Sequence, residues 1–209
     1  MSALSIPDSQ LARAITQHIR ETESETLFYH SARVYCWGVL HGARHAIRFD
    51  PELLYAAAMF HDLGITPRYN DSALRFEVDG ANAAREFLRG HGVPVAEVEK
   101  VWLAVALHTT PGIPEHMHSE ACLVQCGAGM DMAGRNYDGY TEEERATVLA
   151  VYPRAERFEA EMVETFYQGL RARPATTFGT FNDDFLAFND PGFQRTDLCS
   201  LILNSRWTR

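Results

Sequence analysis

The sequence predicts an all-α protein, and three observations support this fold class. Apolar residues recur at spacings of three and four, as in Leu11, Ile15 and Ile19, which places them on one face of a helix. Residues typical of helix starts precede several of these stretches, as where Asp50 is followed by Pro51. No segment shows the alternation of apolar and polar residues expected of a strand.

Five helices are predicted in the first half of the chain. Pro7 and Asp8 open the first, and a polar run separates it from the second. Asp50 is the expected cap of the third, and Gly64 is its expected stop. Pro94 opens the fifth. The approximate bounds are 8–19, 27–41, 51–63, 81–88 and 94–108.

Three further helices follow a turn-rich connection over residues 109–118. Ser119 is the expected cap of the sixth helix, and Thr141 begins the sequence Thr-Glu-Glu-Glu, a capping box, before the seventh. Pro153 interrupts the chain before the eighth. The approximate bounds are 119–131, 141–151 and 155–170.

The remaining chain is an irregular, aromatic-rich C-terminal tail. We expect one domain over residues 1–209, with a core at about 27–154 and a C-terminal helix and wrapping tail at 155–209. The tail aromatics pack against the helical body or against another copy in a homo-oligomer, or they form a lid over a pocket. They are Phe178, Phe181, Phe185, Phe188, Phe193 and Trp207.

The amino-acid composition argues against several classes of binding partner and of lysine chemistry. A net charge of −9 repels phosphate backbones and anionic lipid, so we expect neither nucleic acid nor a membrane as partner, and a small molecule as substrate. Lys100 is the single lysine, which argues against Schiff-base chemistry and a P-loop.

The cysteines and the N-terminus bear on the cellular compartment. The four cysteines show no CxxC spacing, and we expect them to be reduced and buried. The N-terminal residues lack a basic start and a long apolar stretch. We therefore expect a soluble, cytoplasmic protein.

Four side chains on otherwise apolar helix faces form a candidate metal site: His30, the adjacent pair His61 and Asp62, and Asp131. Imidazole and carboxylate ligands favour one divalent cation, zinc first, with iron and manganese as alternatives. Asp138 is the alternative for the last ligand. The simpler interpretation of His61 and Asp62 is a helix-end histidine beside a capping carboxylate.

With these residues the chain resembles the HD-domain superfamily of metal-dependent hydrolases, whose pattern is His, His-Asp and Asp in that order. Within it, residues 27–154 resemble the cyanamide hydratase-like branch through FHDLGIT, RFEVDGA, ALHTTPGI, MDMAG and VYPR. Two departures matter. Members that cleave nucleotides usually carry a carboxylate three or four residues after the His-Asp pair, and this chain has none there. Members with two metals carry a histidine just before the Gly-Ala that opens the next helix, whereas no histidine lies between His61 and Gly80-Ala81 here.

The resemblance implies addition of water to a small molecule, such as cyanamide to give urea. A cation with an open position lowers the pKa of bound water from 15.7 to about 7. His108 is the candidate proton donor and acceptor, and Glu77 is a second catalytic candidate. The alternatives are a phosphohydrolase of nucleotides or phosphomonoesters, assisted by Arg33, Arg68 or Arg75, and a non-catalytic, metal-stabilised binding module.

Overall fold

A computed structural model describes residues 6–206 and confirms the all-α prediction, because the described chain is helical without strands. Trp207 of the predicted aromatic tail lies outside the described residues. The α-helices of the described chain are α1 Gln10–Thr22, α2 Glu25–Arg44, α3 Pro51–Phe60, α4 Phe76–Gly90, α5 Val95–Leu107, α6 Ser119–Ala133, α7 Glu142–Val151, α8 Phe158–Leu170, α9 Asp183–Asn189 and α10 Leu198–Leu203.

Helix starts follow local capping chemistry. The Asp50 carboxylate accepts hydrogen bonds from the backbone N–H groups of the first turn of α3, and Thr141 with Glu144 forms the predicted capping box of α7. Several predicted starts were wrong, and the largest error is five residues at α4, which begins at Phe76 instead of residue 81. Ser9 caps α1, Ser119 is the first residue of α6 instead of its cap, and α8 begins at Phe158.

Helix α3 is the centre of the fold. Every residue from Leu53 to Phe60 is buried, and α1, α2, α5 and α6 pack around the helix. Its sequence is therefore apolar on all sides instead of amphipathic. The packing fixes the end of α3, where His61 and Asp62 follow, deep inside the molecule.

Two glycines permit close backbone contacts beside this centre. A Cβ atom on Gly127 of α6 would stand 2.2 Å from the carbonyl oxygen of Val34 on α2, so a larger residue does not fit there. A Cβ atom on Gly64 would stand 2.0 Å from the carbonyl oxygen of Phe76, the first residue of α4. Gly64 thus lets the turn after Asp62 lie directly against α4.

The C-terminal part packs on a second apolar cluster. Phe158, Met162 and Phe166 of α8 bury one face, together with Leu186 of α9. Beyond them α10 buries none of its residues. The prediction that the tail wraps the helical body therefore describes the tail as far as α9.

The thiols differ from the prediction in burial. Cys36 is buried, whereas Cys122 and Cys126 are half-buried and Cys199 is exposed, and all four are free. Within residues 6–206 the helices are too short or too polar for any of them to cross a lipid bilayer.

Candidate metal centre

Two helices end in the same way at the centre of the molecule. His61 follows the last residue of α3, and its Nδ1 lies 2.7 Å from the carbonyl oxygen of Ala58. His108 follows the last residue of α5, and its Nδ1 lies 2.7 Å from the carbonyl oxygen of Val105. Both carbonyls belong to helix C-termini, which lack intrahelical partners and carry partial negative charge.

His30 on α2 faces these two helix ends. Its Nε2 lies 3.2 Å from Nε2 of His61 and 3.4 Å from Oδ2 of Asp62. Potential ligand atoms of His30, His61 and Asp62 all lie within 4.8 Å of one another, and all three residues are buried. Nε2 of His108 lies 3.3 Å from the other carboxylate oxygen, Oδ1 of Asp62. The three imidazoles therefore surround one carboxylate.

The hydrogen-bond partners determine which nitrogen of each ring carries a proton. A carbonyl oxygen only accepts, so Nδ1 of His61 and Nδ1 of His108 are donors. Nδ1 of His30 lies 2.7 Å from a carboxylate oxygen of Asp131 and is a donor as well. In the neutral rings each Nε2 is then an acceptor, and all three are directed at another acceptor, Asp62.

The surroundings of the Asp62 carboxylate suit a bound cation. Its Oδ1 is buried without a hydrogen-bond partner among the described residues. Converging acceptors around an anion with an unsatisfied oxygen fit a divalent metal ion, which His30, His61 and Asp62 would hold.

The structure places Asp131 differently from the prediction. Its carboxylate accepts from Nε of Arg33 at 2.7 Å, from Nη2 of Arg33 at 2.9 Å and from Nε1 of Trp37 at 3.0 Å, in addition to Nδ1 of His30. Burial raises the pKa of Asp131, but His30 and Arg33 lower it strongly. These donors engage both oxygens, so Asp131 orients His30 from behind and is not a member of the ligand cluster.

The alternative ligand Asp138 is exposed, in the turn Tyr137–Gly139. This turn lies beyond the C-terminal cap of α6 at Gly134. Asp138 is not part of the ligand cluster either.

A cavity of about 430 Å³ opens onto the candidate centre. His30, His61, Asp62 and His108 form its polar end. Its other walls are largely apolar and come from α6, α8 and residues 173–189, which we call the C-terminal segment. They include Ala128, Met132, Phe166, Phe181 and Phe185. The volume lies in the range of pockets that enclose drug-sized ligands, so the cavity accommodates molecules much larger than cyanamide.

The two predicted catalytic residues occupy different places. His108 lines the cavity, and its Nε2 lies 3.3 Å from Oδ1 of Asp62. Glu77 is fully buried and lies outside the lining of the cavity, where Arg75, Thr109 and Asn182 engage its carboxylate. Contact of Glu77 with a substrate in this cavity is therefore not supported.

The sequence did not predict the partners of Asp131 or the arginine side chain of Arg135 at the cavity. Arg33 was considered only for phosphate, although it lies three residues after His30 on the same inward face of α2. Arg68 and Arg75 do not line the cavity. Arg135 does, and among residues 6–206 its side chain has no carboxylate within ion-pairing distance. No pattern in the sequence marks Arg135.

Comparison with known proteins identifies the family. The model of the HD domain matches residues 27–152, more than half of the chain. A search of curated proteins finds no match. The matched segment contains His30, His61, Asp62, His108 and Asp131. The chain therefore belongs to the HD-domain family, whose members are generally metal-dependent hydrolases.

Proposed function

We propose that this protein is a mononuclear metal-dependent hydrolase or hydro-lyase that adds water to a small, largely uncharged molecule, with cyanamide as the first substrate to test. The observation that carries the proposal is the convergence of three imidazole Nε2 atoms on the Asp62 carboxylate at the end of an apolar cavity. His30, His61 and Asp62 would hold the ion, with zinc as first choice and iron or manganese as alternatives.

A divalent ion bound at this centre supplies acidified water, since coordination lowers the pKa of water from 15.7 to about 7. The residues of the chain do the rest. Nδ1 of His108 donates to the Val105 carbonyl, which leaves Nε2 directed toward Asp62 and the cavity. The apolar walls exclude competing water from the reacting atoms.

For a nitrile such as cyanamide, the water oxygen forms a bond to the nitrile carbon and the π electron pair moves to nitrogen. His108 accepts the proton lost by the water and returns a proton to that nitrogen. Proton transfer from oxygen to nitrogen then gives urea. This sequence of steps needs one group that both takes and gives a proton near neutral pH, which an imidazole does.

The experiment measures urea formed from cyanamide by the purified protein of known metal content, with and without a chelator. His108→Gln should retain the metal and lose about 10²- to 10⁴-fold in rate. His116→Gln, which changes an exposed histidine, is the matched control and should match wild type. Absence of urea with zinc, iron and manganese in turn would remove cyanamide as the substrate.

A second candidate, hydrolysis of a phosphate ester, is favoured by Arg135. A guanidinium at the cavity with no carboxylate partner among the described residues offers a contact for a phosphate group. A single arginine neutralises only part of the negative charge on three phosphoryl oxygens, so this candidate ranks second. Release of phosphate from a panel of nucleotides and phosphomonoesters would reverse the ranking.

A further inference from the structure

Glu77 joins three segments of the chain inside the protein. Its buried carboxylate accepts hydrogen bonds from Nη2 of Arg75 at 2.7 Å and from Nδ2 of Asn182 at 2.9 Å, and a further bond from the hydroxyl of Thr109. Burial raises the pKa of Glu77, but Arg75 and the neighbouring groups outweigh burial and lower it. A charged carboxylate thus holds the start of α4, the segment after α5 and the C-terminal segment together.

One of these partners lines the cavity, and a second lies next in the chain to a residue that does. Thr109 lines it directly and follows His108 in the chain. Asn182 is buried, and it lies between Phe181 and Phe185, which both line the cavity. The bond from Asn182 to Glu77 therefore anchors the chain next to Phe181 and three residues before Phe185.

The rings are packed in a continuous row that reaches His108. Phe185 stacks on Phe166 with centroids 4.6 Å apart and planes inclined by 16°. Phe166 meets the ring of Phe76 edge-on at 5.5 Å, and Phe76 lies 5.7 Å from the imidazole of His108. Since Phe76 precedes Glu77, the same first turn of α4 supports both the row of rings and the hydrogen bonds to the C-terminal segment.

A second buried contact fixes the start of this segment. Nη1 of Arg173 lies 2.5 Å from Oδ2 of Asp79, and Nη2 donates to the carbonyl oxygen of Gly64 at 2.5 Å. The C-terminal segment is thus held at residue 173 and again at residue 182. Between these points its hydrogen bonds from Thr176, Thr177 and Thr180 are made within the segment, while Phe185 and Leu186 pack on the second apolar cluster. The bond from Asn182 to Glu77 is thus a polar contact with the core in the part of the segment that carries the aromatic wall.

We propose that Glu77 is a positioning residue that holds Asn182, and through it Phe181 and Phe185, as a wall that selects substrates carrying an apolar group. This inference rests on the proposed metal-dependent function, because the wall faces the same centre. Glu77 then acts on substrate choice without contacting the substrate.

The test compares two hydroxamates that share a metal-binding group and differ in their apolar part, acetohydroxamate and benzohydroxamate. Their affinities for the metal-loaded full chain are measured by calorimetry. Wild type should bind benzohydroxamate at least about tenfold more tightly, because the phenyl group is buried against Phe181 and Phe185. Phe185→Ala should reduce this preference to below about threefold.

Glu77→Gln and Asn182→Asp test the hydrogen bond itself. Each should keep the metal, lose the preference for benzohydroxamate, and raise amide hydrogen exchange over residues 177–189 by about tenfold. The double variant Glu77→Gln with Asn182→Asp restores one amide-to-carboxylate pair and should recover part of both properties. Asp184→Asn, which changes an exposed carboxylate of the same segment, is the matched control and should match wild type.

Four results would contradict the inference in different ways. Equal weakening of both hydroxamates in Glu77→Gln would indicate a general structural role. Unchanged exchange over residues 177–189 in Glu77→Gln and Asn182→Asp would show that Glu77 does not hold the segment. Wild type that binds both hydroxamates without preference would overturn the selection alone, whereas wild type that binds neither would overturn the proposed function as well.

Discussion

Asp62 and Asp131 are both buried carboxylates beside His30, yet their surroundings are opposite. Around Asp131 there are donors, from Arg33, Trp37 and Nδ1 of His30, so every strong acceptor position is used. Around Asp62 there are Nε2 atoms that accept in the neutral rings, and one of its oxygens has no partner among the described residues. A buried acid surrounded by donors supports structure, whereas one that faces acceptors indicates a missing cation.

The largest expected effect comes from Asp62→Asn. The substitution removes the charge that would hold the metal, so metal affinity should fall by well over the roughly 10- to 100-fold typical of residues that only orient a ligand. Elemental analysis of protein purified without added metal, together with a metal titration, measures this loss. Retention of metal by Asp62→Asn together with its loss in Asp131→Asn would reverse the roles given to the two carboxylates.

Asp131→Ala should act mainly on stability. It leaves the guanidinium of Arg33 buried without its carboxylate, and removing one partner of a buried ion pair lowers the free energy of unfolding by about 3–5 kcal/mol. Metal affinity should fall by about 10- to 100-fold, because His30 loses the group that orients it. Urea denaturation and a metal titration measure the two effects.

A paired substitution separates charge from packing at this site. Arg33→Met with Asp131→Leu replaces both charges by apolar groups and should recover most of the stability lost in Asp131→Ala. A double variant as unstable as the single one would mean that Asp131 contributes through contacts other than the pair with Arg33.

Trp37→Phe sharpens the comparison, since it removes one donor from Asp131 and none from Asp62. The bond from Nε1 to Oδ1 is 3.0 Å long, and loss of a hydrogen bond to a charged group lowers the free energy of unfolding by about 1.5–3 kcal/mol. Metal content should stay at the wild-type level. A loss of metal as large as in Asp62→Asn would place Asp131 in the ligand set after all.

Glu120 is a third buried carboxylate for comparison. Glu120→Gln should have the smallest effect, a loss of about 1–2 kcal/mol in the free energy of unfolding at pH 7. The Glu120 carboxylate accepts from the backbone N–H of Asp50 and from Nδ1 of His118. Burial raises its pKa, but these bonds outweigh burial and lower it from 4.5 to about 2.

The sign of the pH dependence follows from that shift. A pKa that is lower in the folded state gives stability that is present above pH 4.5 and is lost as the pH falls toward 2. The difference in unfolding free energy between wild type and Glu120→Gln should therefore shrink over this interval, as followed by denaturation at several pH values. A difference that grows toward acid would contradict the assignment.

The parts of the centre that sequence could predict are local. His61 and Asp62 were predicted as ligands because an apolar helix ends at them, and His30 because it shares a face with core residues. The position of Asp131 depends on how α2 packs against α6, with 98 residues between Arg33 and Asp131. Helical periodicity predicts that a carboxylate lies on an inward face, but it does not predict whether the neighbouring helices present hydrogen-bond donors or acceptors to it.

The fold and the cavity show the same limit. Periodicity and caps predicted the bounds of α1 to α8 to within about five residues, because both are properties of neighbouring residues. They did not predict α9 and α10, which lie in the tail that was expected to be irregular. The role of Glu77 depends on Asn182, which is 105 residues away in an irregular segment. The aromatic tail was predicted as either packing or a lid, and Phe185 stacks on Phe166 and lines the cavity.

Gly127 has a consequence for how this centre tolerates change. It lies one helical turn before Asp131, and Val34, whose carbonyl oxygen it touches, lies one turn after His30. A single added methyl group would push α2 and α6 apart by roughly an ångström and so separate His30 on α2 from Asp131 on α6, which orients it. A shift of His30 by a fraction of that distance exceeds the ±0.2 Å tolerance of metal-ligand distances. Gly127 has no side chain and is remote from any reacting atom, yet it sets the distance between α2 and α6 at this centre.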